Sequence, residues 1–143
     1  TVDYEHVAEH ILQIIDGKKV SKIAYDRWRI DILRKEFAKF GVELPLIECG
    51  QGYKDMSPAI DMLESELLNG RIKHSMHPVL TMCAANSIVI KDQAGNRKLD
   101  KAKATGRIDG MVALAMAFHG ANLVEEDEGD WDGFLSNPIA LKH

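Results

Sequence analysis

An aspartate that ends a run of strand-forming residues, and another that opens a long apolar stretch, are the side chains in this sequence best placed for chemistry. The first is Asp26, in Ala24-Tyr25-Asp26-Arg27-Trp28; the second is Asp109, in Gly106-Arg107-Ile108-Asp109-Gly110. An acid at a strand's carboxyl end and one on the first turn of a late helix can meet over one edge of an α/β sheet, where such folds place their sites. Two carboxylates there suit a divalent metal, because hard cations take oxygen ligands. Asp109 would also feel the positive end of the helix dipole, which favours its ionised form. The flanking glycines leave room for a metal or a phosphate. Each acid also has a plainer role open to it. A first-turn acid is commonly there for the dipole alone, and Asp26 could close a strand-end turn paired with Arg27 or Arg29.

Other reactive residues carry weaker patterns. His74 and His77 lie close together but lack a matched cysteine or carboxylate spacing, so they read as structural rather than as ligands. Cys49 and Cys83 stand apart without a CxxC spacing, which points to core thiols in a reducing compartment. Gln51-Gly52-Tyr53-Lys54 is too short for a nucleotide loop and reads as a loop beside the site. Trp28 reads as a packing anchor rather than a stacking platform.

The elements that must position these residues alternate. Asp3 is placed to cap a helix with Val7, Ile11, Ile14 and Ile15 on one face, stopped at Gly17. Ser21 to Tyr25 reads as a strand. A helix from about Arg29 to Phe40 turns Ile30, Leu33, Phe37 and Phe40 inward and ends at Gly41. Leu44 to Cys49 is the next strand. Ser57-Pro58 has the form of an N-cap followed by proline at the first helical position, with Ile60, Leu63, Leu67 and Leu68 as the apolar stripe and Asn69-Gly70 as the stop. His77-Pro78 opens a helix through about Asn86. Ile88 to Lys91 and Lys98 to Asp100 suggest a hairpin around Ala94-Gly95-Asn96. Ile108 to Ala121 is apolar nearly all round and is expected to be buried against the sheet. This order argues for a layered α/β domain. Two sheet strands and a peripheral hairpin are few for so many helices.

With 143 residues and 16.0 kDa the chain has the size of one domain with a real core. Its 45% hydrophobic and 28% charged residues and net charge of -4 are those of a soluble globular protein. The charge is uneven: Glu125, Glu126, Asp127, Glu128, Asp130 and Asp132 cluster late, while Arg97, Lys98, Lys101, Lys103 and Arg107 precede Asp109. No run approaches the roughly 20 apolar residues of a membrane span. No charged-then-apolar leader opens the chain, which reads as soluble and intracellular.

Four blocks, IAYDRWRID, GQGYKDMSPAIDMLE, LLNGRIKHSMHPVLTMCAAN and GNRKLDKAKATGRIDGMVALAMA, resemble in this order the large terminase subunit of tailed bacteriophages and prophages. The likeness runs from about Asp3 to Ala121. It implies an RNase H-like nuclease domain that cuts concatemeric double-stranded DNA during packaging. No GxxxxGK[ST] phosphate loop occurs, so the family's ATPase activity is not expected from this polypeptide. The resemblance implies a partial RNase H-like nuclease domain over 1–124, lacking its first three strands, and the acidic composition of 125–143 reads as a flexible tail. It assigns Asp26 to the acid closing the fourth strand and Asp109 to the acid of the final helix, as catalytic residues and ligands of Mg²⁺ or Mn²⁺. The family's remaining acid belongs to a first strand that would precede Thr1, which leaves cleavage by this chain alone in question.

Two-metal cleavage places ions roughly 3.5–4 Å apart, one activating water and one stabilising the leaving oxygen. Lys54, Lys101, Lys103 and Arg107 would hold the DNA backbone, a contact that weakens with salt. The resemblance further implies a small subunit and a portal as partners of the full-length protein, and a bacterial host cytoplasm. Without a first strand, Ser21 to Tyr25 would be an open edge, and open edges seek partners, so self-association is expected. The alternatives are a catalytically incomplete prophage fragment and a non-enzymatic interaction or DNA-binding module.

Overall fold

The computed structural model describes residues 1–136, with side chains through 124. Nine elements follow one another: α1 Tyr4–Ile15, β1 Ile23–Tyr25, α2 Ile30–Lys39, β2 Leu46–Glu48, α3 Tyr53–Leu68, α4 Pro78–Asn86, β3 Val89–Lys91, β4 Arg97–Leu99 and α5 Asp109–Ser136. The Asp3 carboxylate caps α1 by accepting from the His6 amide at 3.1 Å. At the end of α2, Gly41 sits at φ 68° with its amide on the Ala38 carbonyl at 3.0 Å. Only glycine adopts that left-handed stop without steric cost.

β1 and β2 pair in parallel, Ile23 with Leu46, Ala24 with Ile47 and Tyr25 with Glu48. Parallel neighbours need a crossover, and α2 supplies it. The Cys49 amide donates to the Tyr25 carbonyl at 2.8 Å and carries the pairing one residue further, up to Asp26. β3 and β4 form the separate antiparallel hairpin. Its turn is held by the Asp92 carboxylate, which accepts from the Asn96 amide at 2.8 Å. Among the described residues there are two sheets of two strands each, the number of strands the sequence led us to expect.

The core joins these pieces. Cys49, Met56, Ile60 and Ala115 are buried together, with Ala24, Leu99 and Met116 packed on them. Met56 is 1% exposed, and truncating such a side chain typically costs about 2–5 kcal/mol. Cys49 and Cys83 are free and buried, as expected. α5 packs against α3, α4 and β1, and α1 packs against α2.

Several expectations are corrected. α3 begins at Tyr53, not at Ser57, and Pro58 lies inside it. The earlier start is held by Asp55, whose carboxylate reaches back to the Gly50 amide at 2.7 Å. Ser57 is buried instead of capping, and its hydroxyl accepts from the Arg97 amide at 3.0 Å. Phe40 is exposed rather than inward, and Ile14, Leu67 and Leu68 of the apolar faces are exposed as well. α5 is not covered all round: Ala113 and Ala117 face a groove of about 500 Å³ beside β1. The helix also continues to Ser136, through most of the acidic segment expected as a tail. Residues 137–143 of that segment lie outside the described residues. Trp28 is no packing anchor, being 78% exposed. Among the described residues no helix is long and apolar enough to cross a membrane.

Candidate metal and nucleic-acid site

The parallel ladder and α5 bring the two acids to one edge. Gly120 of α5 lies against Lys22 and Ile47, the His119 ring nitrogen Nε2 is 3.1 Å from the Glu48 carbonyl, and the Gln51 amide reaches the Met116 sulfur at 3.4 Å. Going down α5 from Gly120 to Met116 therefore means going up the strands toward their carboxyl ends, so the helix runs opposite to the strands. From Gly120 to Asp109 is eleven residues, about 16 Å of helical rise. From Lys22 to Asp26 is four residues, about 13 Å of strand in the same sense. Asp26 and Asp109 thus stand at the same level, at the carboxyl edge.

Their surroundings differ. Asp26 is exposed and makes no hydrogen bond or ion pair among the described residues. Neither Arg27 nor Arg29 pairs with it: Arg27 sits 3.7 Å from Glu48, and Arg29 lies over the Trp28 ring. Asp109, also exposed, has Lys101 at 3.6 Å and Arg107 at 3.9 Å. The segment leading to it is clamped by Asn86 at the end of α4. The Asn86 side chain donates to the Arg107 carbonyl at 3.2 Å and accepts from the Thr105 hydroxyl at 3.1 Å. A Cβ on Gly106 would come within 2.7 Å of the Asn86 amide nitrogen, so a larger residue there requires the Asn86 side chain to shift.

The cations sort into two groups. Arg97 is engaged by Asp61 and Glu64 of α3, which raise its pKa, and Lys98 stacks over Tyr53 at 4.8 Å; both are structural. Lys101 and Arg107 flank Asp109 and line with it a depression of about 450 Å³. Lys103 is exposed in the turn after β4, and Lys54 is exposed in the first turn of α3. The His77 ring caps α4 by accepting from the Val79 amide at 3.2 Å, and the His74 ring accepts from the Met76 amide at 3.3 Å in the preceding loop.

Asp55, which the sequence did not single out, is a third acid on the same side of the core. Burial, and after it the carboxylates of Asp55 and Asp26, push the Cys49 thiol up to about 11, so both acids lie close enough to be felt there. Asp55 is occupied by the Gly50 amide, however, and is a backbone brace. Among the described residues no three His, Cys, Asp or Glu side chains are grouped to hold a metal ion. Asp26 and Asp109 thus present oxygen atoms of the kind a hard divalent cation takes, and among the described residues no third acid is grouped with them.

Residues 1–125 match the family described as "Terminase large subunit, endonuclease domain". The chain is 56% identical over 142 residues to the terminase large subunit of Enterobacteria phage HK97, covering 99% of this chain and 28% of that protein. It is 32% identical over 130 residues to the protein YmfN of Escherichia coli strain K12, covering 89% of the chain and 28% of that protein. The crystal structure of the HK97 large terminase superposes with a TM-score of 0.77 at 60% identity, over 82% of this chain and 25% of that one. The chain spans little more than a quarter of these relatives, and over that span it belongs to the terminase large subunit endonuclease-domain family.

Proposed function

We propose that this chain is the nuclease portion of a phage DNA-packaging terminase large subunit, of RNase H-like fold, and that the full-length protein cuts concatemeric double-stranded DNA with divalent metal bound at Asp26 and Asp109. The single observation that carries this reading is the placement of two exposed carboxylates at one carboxyl edge, within a family described as endonucleases. Mg²⁺ or Mn²⁺ held there would supply an activated water and a counter-charge for the leaving oxygen. The side chains have separable tasks. Asp26, without a hydrogen-bond or ion-pair partner among the described residues, is open to a cation. Asp109 stands at a helix N-terminus, where the positive end of the dipole faces it. Lys101 and Arg107 neutralise Asp109 when no ion is near and are free to turn to phosphates when one is. Lys54 and Lys103, both exposed, are further cations open to phosphates.

The donor set calls for at least one more acid, so cleavage is assigned to the longer protein and not to these residues alone. The small subunit, the portal and the bacterial host cytoplasm follow from the same reading. Strand β1 has β2 on one side only among the described residues, and the groove beside its other edge, lined by Ala113 and Ala117, supports pairing with a further strand or a second copy.

A plasmid-nicking assay on the full-length protein tests this. Cleavage should require Mg²⁺ or Mn²⁺ and fall in Asp26→Asn and Asp109→Asn by more than the 10–100-fold typical of outer-shell changes. Cleavage retained by both variants would remove the site.

A further inference from the structure

The link between β1 and α2 carries Arg27, Trp28 and Arg29, and the exposure of its indole is at odds with its chemistry. Trp28 is 78% exposed, the Arg27 side chain is 83% exposed, and Arg29 is exposed as well. The Arg29 guanidinium lies 5.7 Å from the centroid of the Trp28 ring. An indole left in water forgoes the burial that is its main contribution to a fold. Arg29 adopts φ 58°, a left-handed conformation that is costly for any residue with a Cβ. The link leaves β1 directly after Asp26 and so projects from the carboxyl edge described above.

We propose that Trp28 is a stacking contact for a nucleobase that has left the duplex stack, at an end or a strand break, with Arg27 and Arg29 on the adjoining phosphates. This rests on the reading that DNA occupies the carboxyl edge, and on no other part of it. An indole stacks on any base, since every base has a π face, and flanking guanidiniums match phosphate geometry. Within an intact duplex the base faces are covered by their neighbours, so an exposed ring meets one only where the stack is open. The Arg27 pairing with Glu48 is long and solvent-exposed, and a phosphate can displace it. Two cations beside the ring favour a polyanion over an apolar protein surface.

The test uses a Trp131→Phe background, in which Trp28 is the sole tryptophan. Short DNA duplexes with single-stranded overhangs are compared with blunt duplexes of equal length, in Ca²⁺ and again in EDTA, with no cleavage required. The expected result is quenching of Trp28 emission by overhang DNA and about a tenfold loss of overhang affinity in Trp28→Ala, largely restored in Trp28→Phe. Blunt DNA should bind Trp28→Ala nearly as well as the parent. Unchanged emission, or equal losses on both DNAs, would overturn the proposal. So would unchanged DNA affinity with altered sedimentation, which would mark Trp28 as a protein contact. Manganese binding measured on the same samples separates the two readings: lost metal binding with quenching intact strikes the metal site alone.

Discussion

The two acids at the carboxyl edge are delivered by different means. Asp26 is the continuation of a hydrogen-bonded ladder, set by Tyr25 and Cys49, and has no side-chain partner among the described residues. Asp109 begins a helix whose approach is a loop, fixed by Asn86 and balanced by Lys101 and Arg107. A strand end inherits its position from the sheet, whereas a helix start must be given one by side chains. The first arrangement is hard to perturb by substitution near the acid. The second can be undone from a distance.

The comparison breaks most sharply at Gly106. Gly106→Ala places a methyl 2.7 Å from the Asn86 amide nitrogen, displacing the Asn86 side chain from the clamp it makes with Thr105 and Arg107. It is expected to lower Mn²⁺ affinity by about 10–100-fold, in the range of outer-shell changes at metal sites, while leaving the β1–β2 pairing intact. Isothermal titration with Mn²⁺ and amide exchange at Tyr25 and Cys49 check the two halves. An affinity within twofold of the parent would show that the clamp does not position Asp109.

The strand side is probed through Cys49, whose thiol is pushed up to about 11 by burial and by Asp55 and Asp26. A folded pKa above the unfolded value of 9.0 means that the neutral thiol stabilises the fold. That contribution is full below pH 9.0 and declines as pH rises toward 11. Thermal melts of the parent should therefore drop across this window more than those of Cys49→Ala. Equal drops would place the sensitivity elsewhere.

The smallest effect is expected at Lys101. Its ion pair with Asp109 is solvent-exposed, so Lys101→Ala should cost no more than about 1 kcal/mol of stability. Removing the competing cation should tighten Mn²⁺ binding slightly and reduce the slope of log affinity for DNA against log salt by about one. An unchanged slope would remove Lys101 from the DNA contacts.

How much of this was legible in the sequence varies with how local its cause is. Asp3 and His77 announced their helices because a cap acts over three residues, and the hairpin turn at Gly95 did so for the same reason. The start of α3 was misread at Ser57-Pro58. Its determinant, Asp55 bracing Gly50, competes with a strong local signal, and Ser57 is claimed by Arg97 forty residues away. The expectation of Trp28 as a packing anchor follows from the usual place of indoles, and nothing in the sequence near it reveals that no element of the described residues covers it. Asp26 and Asp109 were legible as element ends, and their common edge as an expectation of the fold class. The division of the basic stretch into Arg97 and Lys98, held by α3, and Lys101 and Arg107, held by Asp109, depends on packing that no spacing encodes. The Asn86 clamp was invisible for the same reason.

The central claim is that Asp26 and Asp109 together hold a divalent cation. Paramagnetic line broadening by Mn²⁺, followed across the amide spectrum of this chain, tests it most directly. Substoichiometric Mn²⁺ should broaden the amides of Asp26 to Arg27 and of Ile108 to Gly110 before any others, and Asp109→Asn should abolish the effect at both places. Broadening at one acid only, or first at the acidic residues Glu125 to Asp132, would contradict a shared site.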